Sequence, residues 1–297
     1  MPILSVENIS KNYGPIQALK NVSFKVPKGS VFGILGPNGS GKTTLLGIVM
    51  DVLKATSGNY KLFDETPSQK HRQQIGTLLE TPNFYHYLSA VNNLKIAAGI
   101  KEKGLADIDS VLEKVNLLQR KHSKFSTFSL GMKQRLAIAS CLLGDPEVMV
   151  FDEPTNGLDP VGIAEIRELI KRLHKEGKTI IMASHLLDEV EKVCTHVAVL
   201  QKGKLITHGH VDEILVNEDI AEISASDNTQ LLSIMEHYPG ATSIKKQDQH
   251  IELNFTSGTT SLESINRFCF EKGVILNHMR LRKKSLEAKF FELTKNN

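Results

Sequence analysis

The chain has 297 residues, enough for about two domains at roughly 150 residues each. Its 36 Lys and Arg against 33 Asp and Glu leave a net charge of +3, too mild for the clustered basic face of a nucleic-acid binder. With 40% hydrophobic and 23% charged residues, it reads as a folded chain and not a disordered one. Cys141, Cys194 and Cys269 lie far apart, with no CxxC pair and no Cys/His ligand spacing. They read as small buried hydrophobes in a reducing compartment, with no zinc or redox role. Met1 to Asn12 has no basic n-region and no long apolar core, so it reads as no secretory signal. No window approaches the ~18–20 apolar residues of a membrane span, so the chain is expected to dock on a membrane protein and not to cross the bilayer itself.

In chain order, Ile3–Val6 and Val22–Val26 alternate with period two and predict strands. Pro27-Lys28-Gly29 is turn chemistry, and the apolar run Val31–Leu35 predicts a buried strand of a parallel sheet. A Gly-rich turn leads into a helix-compatible stretch, Gly41–Leu53. Residues 91–141 read mostly helical, and Met132–Leu143 stops at Gly144-Asp145-Pro146. Val148–Phe151, Thr179–Ala183 and His196–Leu200 predict further buried strands, with Ile163–Leu173 a helix between the first two and a Lys202-Gly203 turn at the end. Strands alternating with helices imply a mostly parallel α/β sheet. After about Val216 the texture changes. Strands at Ile220–Ser224, Ala241–Lys245, Ile251–Phe255 and Val274–Leu281, with helices at Leu231–His237 and Ser261–Lys272, predict a small α+β domain of ferredoxin-like order over 216–297.

Gly36-Pro37-Asn38-Gly39-Ser40-Gly41-Lys42-Thr43-Thr44 matches G-x-x-x-x-G-K-[ST] between a predicted strand and a predicted helix, the context of a P-loop NTPase. The glycines let successive backbone N–H groups point inward at phosphate oxygens, and the helix N-terminus adds partial positive charge there. Lys42 is expected to reach the β- and γ-phosphates, Thr43 to ligate Mg²⁺, and Thr44 to help hold the α-phosphate. The loop alone does not separate a kinase, a GTPase or a motor. Val148–Phe151 ends in Asp152 and Glu153, at the strand end where such sheets bind ligand. Asp152 is expected to hold Mg²⁺ through water, and Glu153 to polarise a water in line with the γ-phosphate. The two adjacent carboxylates would repel each other without a cation nearby.

Phe128-Ser129-Leu130-Gly131-Met132-Lys133-Gln134-Arg135 resembles the LSGGQ-x-QR signature of ABC transporter ATP-binding subunits, and it precedes the acidic strand as in that family. Pro154-Thr155-Asn156-Gly157-Leu158-Asp159 resembles the D-loop, Ala183-Ser184-His185 the switch histidine, and Tyr13 the aromatic that stacks on adenine. The resemblance covers about residues 1–215. It implies an ABC ATPase domain with a helical subdomain near 80–140, binding ATP and Mg²⁺ through the residues above together with Ser129, Gly131 and Asp159. It further implies a head-to-tail homodimer in which Lys42 of one copy and Ser129 of the other enclose each ATP, with Glu153 and His185 catalytic. Leu130 and Met132 replace the signature's first glycine and its glutamine, and Glu80 stands at the Q-loop position as a candidate metal contact.

Glu80-Thr81-Pro82-Asn83-Phe84-Tyr85, the signature segment and the tail Lys284–Thr294 resemble the bacitracin and lantibiotic group of ABC-2 type exporters. This likeness implies a separate transmembrane permease, a peripheral place on the cytoplasmic face of the cell membrane, and export of a substrate such as an antimicrobial peptide or drug. No nucleic-acid partner is expected. Phe84, Tyr85, Tyr87 and Leu88 are either core or a docking groove for the permease, and Arg280–Lys284 reads as a solvated charge run. The rival readings are a soluble ABC ATPase acting on ribosomes or nucleic acid, and a simple P-loop kinase. The chain has one ATPase unit and no coiled-coil insertion, which weighs against the first; the signature and D-loop weigh against the second.

Overall fold

The computed structural model describes residues 1–79, 83–214, 218–256 and 258–283. The chain divides into two compact units, Met1–His210 and Val211–Asn297. That division falls a few residues ahead of the 215/216 boundary expected from texture.

The first unit opens on a long hairpin, β1 (Pro2–Tyr13) and β2 (Ile16–Pro27), then β3 (Val31–Leu35) and α1 (Lys42–Val49). Next come β4 (Ser57–Leu62), α2 (Gln69–Gln73), β5 (Ile75–Leu78), α3 (Ala90–Lys101), α4 (Ile108–Lys114) and α5 (Leu130–Leu142). The unit ends with β6 (Val148–Asp152), α6 (Pro160–Lys175), β7 (Thr179–Ser184), α7 (Leu187–Val193), β8 (His196–Gln201) and β9 (Lys204–His210). The main sheet has the order β5-β6-β7-β3-β8-β9. Its pairs are parallel except for the β8–β9 hairpin at one edge. A second, antiparallel sheet, β2-β1-β4, stands apart from it in the hydrogen-bonding pattern. The sequence reading did not separate this second layer, because period-two alternation marks a half-buried strand without saying which sheet receives it.

Strands β3, β6 and β7 are buried at every residue, as expected of parallel strands covered on both faces. One continuous apolar cluster joins the two sheets through α1. It includes Leu4, Val6 and Leu19 of the hairpin, Phe32 and Ile34 of β3, Leu45 and Leu46 of α1, and Val148 and Val150 of β6. Helix α1 is thereby clamped from both sides, which fixes the loop that precedes it. It ends at Val49, short of the expected Leu53. Asp51 takes φ 63°, and the N–H groups of Val52 and Leu53 both turn back to the carbonyl of Gly47, so the chain leaves helical geometry there.

The second unit holds α8 (Val211–Ile214), β10 (Glu218–Ala225), α9 (Asn228–Met235), β11 (Ala241–Lys246), β12 (Ile251–Thr256), α10 (Leu262–Glu271) and β13 (Leu276–Lys283). Its sheet is antiparallel with order β11-β12-β10-β13, the split β-α-β-β-α-β arrangement of a ferredoxin-like module. Alternation puts Ala221, Ile223, Ile251, Leu253 and Phe255 into an apolar core with Leu231 and Met235 of α9 and Ile265 and Cys269 of α10. Residues between them in sequence point to the opposite face, where Glu222 stands directly across from Glu252. Like charges at that position repel, and Arg282 bridges both carboxylates. Arg282 is therefore held by an ion-pair network, which corrects the reading of Arg280–Lys284 as a solvated run; Lys284 lies outside the described residues. With His250, the two glutamates have ligand atoms within 4.8 Å of one another, and the guanidinium of Arg282 already supplies the cation at that cluster.

Candidate functional site

The loop of residues 36–41 joins β3 to α1 at the C-terminal edge of the main sheet. Gly36 has φ 156°, and a Cβ there would lie 2.2 Å from the carbonyl oxygen of Leu200 and 2.4 Å from Ser40 Oγ. Gly41 caps α1 with φ 106°, and a Cβ there would lie 2.7 Å from the carbonyl oxygen of Ala18. Both positions need glycine, because the floor of the loop is other backbone. Pro37, Asn38 and Gly39 form an exposed arch above this floor, while Ser40 is buried. The Ser40 N–H donates to Pro37 O at 3.1 Å, and Ser40 O accepts from the Gly203 N–H at 3.1 Å. Ser40 Oγ is buried with no hydrogen-bond partner.

Lys42 is the first residue of α1 and is only 5% exposed. Its ammonium donates to Gly36 O at 2.9 Å and Pro37 O at 3.3 Å. It also lies 3.3 Å from Glu153 Oε1. The other carboxylate oxygen, Glu153 Oε2, is 2.8 Å from His185 Nδ1. Glu153 follows the last residue of β6 and takes φ 48°, a left-handed conformation that costs a non-glycine residue about 1–2 kcal/mol. Its N–H is satisfied by Ala183 O at 3.0 Å, and the bend re-aims its side chain from the strand axis to Lys42. A chain of three groups, Lys42–Glu153–His185, thus crosses the ends of β6, β7 and the loop after β3. Lys42 is the nearby cation for the Glu153 carboxylate. Asp152 is buried at the end of β6 and is paired in register with Ala183.

Thr43 is exposed and Thr44 half-buried beside this chain in α1. Ser129 caps α5, its hydroxyl accepting from the Met132 N–H at 3.3 Å. Asp159 caps α6, accepting from the Gly162 N–H at 2.9 Å, with Pro160 next in line. Gly131 joins them: Ser129, Gly131, Gly157 and Asp159 line one pocket of about 350 Å³ that shares no residue with the Lys42 cluster. Nothing lies within 4 Å of a Cβ at Gly131. Tyr13 sits at the end of β1, 45% exposed, with Lys11 Nζ 5.0 Å above its ring. Glu80 lies outside the described residues, as does the tail Lys284–Thr294.

Sequence reasoning missed Gly203 and Leu200, the backbone floor of the loop. It also missed Glu165, which lines the signature pocket together with Arg135, the last residue of the signature segment. The only sequence signal for Gly203 and Leu200 was the Lys202-Gly203 turn; nothing local marked Glu165. In the middle region, Phe84 stacks edge-on to Phe125 at 5.3 Å and belongs partly to the core, whereas Tyr85 and Tyr87 are 50% and 69% exposed. Phe84 and Tyr85 border a pocket of about 410 Å³ with Asn93, Ile96 and Ile100. All three cysteines are buried and free. Among the described residues, no helix is long and apolar enough to cross a membrane.

The geometry agrees with comparisons to known proteins. The family model for the ABC transporter matches residues 19–156. The bacitracin transport ATP-binding protein BcrA of Enterococcus faecalis is 34% identical over 300 residues, covering 98% of this chain and 96% of the relative. The lantibiotic transport ATP-binding protein SrtF of Streptococcus pyogenes is 39% identical over 210 residues, covering 71% of this chain and 92% of the relative. Among solved structures, the ATP-binding cassette MJ0796, dimeric in a post-hydrolysis state bound to ADP and Pi, superposes with a TM-score of 0.62 at 26% identity, covering 70% of this chain and 98% of that one. The chain belongs to the ABC transporter family, and its first unit is that family's ATP-binding, ATP-hydrolysing cassette.

Proposed function

We propose that this ABC ATPase powers export through a separate transmembrane permease, working as a head-to-tail pair of identical subunits on the cytoplasmic face of the cell membrane. The observation that carries the catalytic part is the Glu153 carboxylate shared between Lys42 and His185. The names of the bacitracin and lantibiotic relatives support an antimicrobial peptide as the substrate.

ATP is the substrate of the loop. Its phosphates take the place of the carbonyls of Gly36 and Pro37 as partners of the Lys42 ammonium, and the buried, unpartnered Ser40 hydroxyl gives them a further donor. As Lys42 turns to the phosphates, the Glu153 carboxylate is released to accept a proton from water. That water attacks the γ-phosphorus, and the bond to the bridging oxygen breaks to give ADP and phosphate. His185, donating from Nδ1, holds the carboxylate in place. The Thr43 hydroxyl and the Asp152 carboxylate are hard oxygen donors that suit Mg²⁺, which offsets phosphate charge when bound. Tyr13 supplies an open ring for adenine, and Ser129, Gly131 and Asp159 present two helix N-termini to the second copy's nucleotide.

Glu153→Gln should retain ATP binding, lose about 10²–10⁴-fold in hydrolysis and accumulate an ATP-bound dimer; unchanged turnover would remove Glu153 from catalysis. The pocket bordered by Phe84, Tyr85, Ile96 and Ile100 is our candidate permease dock. A detergent pull-down from native cells should recover a polytopic membrane protein. Recovery of ribosomes instead would favour a soluble ABC ATPase.

A further inference from the structure

Helix α6 is fastened on two nearly opposite sides by ion pairs that leave from a single turn. Glu165 and Arg167 are two residues apart, so they lie about 200° apart around the helix at 3.6 residues per turn. Ile166 between them is fully buried. On one side, Glu165 Oε2 is 3.6 Å from Arg135 Nε of the signature helix α5. Arg135 also donates to Val115 O at 3.3 Å. On the other side, Arg167 Nη1 lies 3.4 Å from Glu189 Oε1 of α7, the helix that follows His185. The second pair is well shielded, with side-chain exposures of 21% and 13%.

Both pairs are long, and each leaves a buried polar atom unspent: Arg135 Nε and Glu189 Oε2 have no hydrogen-bond partner. Buried polar atoms of this kind cost free energy until they are satisfied. The two links therefore have bonding capacity in reserve, which a modest shift of α5 or α7 against α6 would spend.

We propose that Arg135–Glu165 and Arg167–Glu189 form a two-ended coupling strap through α6, made of positioning residues that tie the signature serine to the switch histidine of the same subunit. The proposal rests on the head-to-tail reading above. In such a pair Ser129 meets the partner's ATP while His185 meets the subunit's own, so a strap between their helices links the two nucleotide sites. Closure on one ATP seats α5, tightens Arg135–Glu165, and through the body of α6 tightens Arg167–Glu189 and steadies His185 on Glu153. Coupling of this kind requires that α5 and α7 each shift between two arrangements with α6 as the rigid member between them.

The test is a charge-reversal series in full-length Glu153→Gln protein: Arg135→Glu, Glu165→Arg, Arg167→Glu, Glu189→Arg, and the two within-pair swaps. Arg135→Lys and Arg167→Lys serve as conservative variants should a reversal fail to fold. ATP affinity of dilute monomer, the thermal midpoint and ATP-driven dimerisation by sedimentation are read for each. Single reversals should keep monomer affinity and fold, yet weaken dimerisation by about 5- to 150-fold, the span of ordinary coupling between sites. The within-pair swaps should restore most of it. Dimerisation unaffected by the single reversals, or unrestored in a folded swap that binds ATP, would overturn the strap alone. A Glu153→Gln parent that binds ATP and never dimerises would overturn the strap and the head-to-tail reading together.

Discussion

Lys42 Nζ stands 3.3 Å from Glu153 Oε1, although one residue opens α1 and the other follows β6, more than a hundred residues later in the chain. The ammonium is almost fully buried, so the pair is little screened by solvent, and taking away one partner leaves the other charge without its match. Lys42→Met should reduce kcat by about 10²–10³-fold, the loss expected for one preorganised charge donor. Steady-state ATPase assays with excess ATP will read this; a variant that retains wild-type kcat would show that the ammonium plays no part in the reaction.

The Tyr13 ring has an ammonium on one side, since Lys11 Nζ sits 5.0 Å from its centroid and is itself anchored to Lys54 O at 2.7 Å. One face is thereby left for a base. Tyr13→Ala should weaken ATP binding by roughly 1–3 kcal/mol, the scale of base–aromatic stacking, and Tyr13→Phe should preserve it. Calorimetric titration distinguishes the two. Equal affinity in the alanine variant would place adenine elsewhere.

The cysteines offer a check on burial. Burial pushes the Cys141 thiol up to about 11, against small opposing effects of Lys101 and Ser140. Burial likewise raises Cys194 and Cys269. Thiolate is the reactive form, so a thiol reagent near neutral pH should label none of the three in native protein and all three after urea unfolding. Rapid native labelling of Cys141 or Cys194 would contradict the packing of α5 or of the segment before β8.

In the second unit, the hydrogen bond from Arg282 holds the Glu222 carboxyl below the usual range. A depressed folded value means that Glu222 binds its proton less readily when folded. Its contribution to stability is therefore complete above the ordinary Glu value of about 4.3 and fades as pH falls below that toward the depressed value. Urea unfolding followed by circular dichroism should show this unit weakening on acidification. Arg282→Met should flatten that slope and lower stability at neutral pH by leaving Glu222 facing Glu252 uncompensated. A pH slope identical in the variant would rule out the network as its source.

The phosphate loop and the strand ending in Asp152 and Glu153 were both legible in the linear chain. Each depends on residues within a few positions of one another, and local backbone chemistry then dictates the outcome. The α-β alternation of the second unit was legible for the same reason, with element ends off by a few residues. Strands β4, β5 and β9 escaped notice. β4 buries only Leu62 fully, β5 has four residues, and β9 has no buried position, so none carries a clear period-two signal.

The order β6-β7-β3 was decided only by the tertiary structure, and with it the meeting of Lys42, Glu153 and His185. So were the Leu200 floor that forbids a side chain at Gly36, the seat of Arg282 between two glutamates, and the two ion pairs of α6. Every one of these joins residues far apart in the chain. Sequence periodicity reports which face of an element is apolar, whereas the choice of neighbour is made by packing those faces against one another. The amino-acid order by itself therefore determined the chemistry this protein carries, and the packing of its sheet determined which of those groups act together.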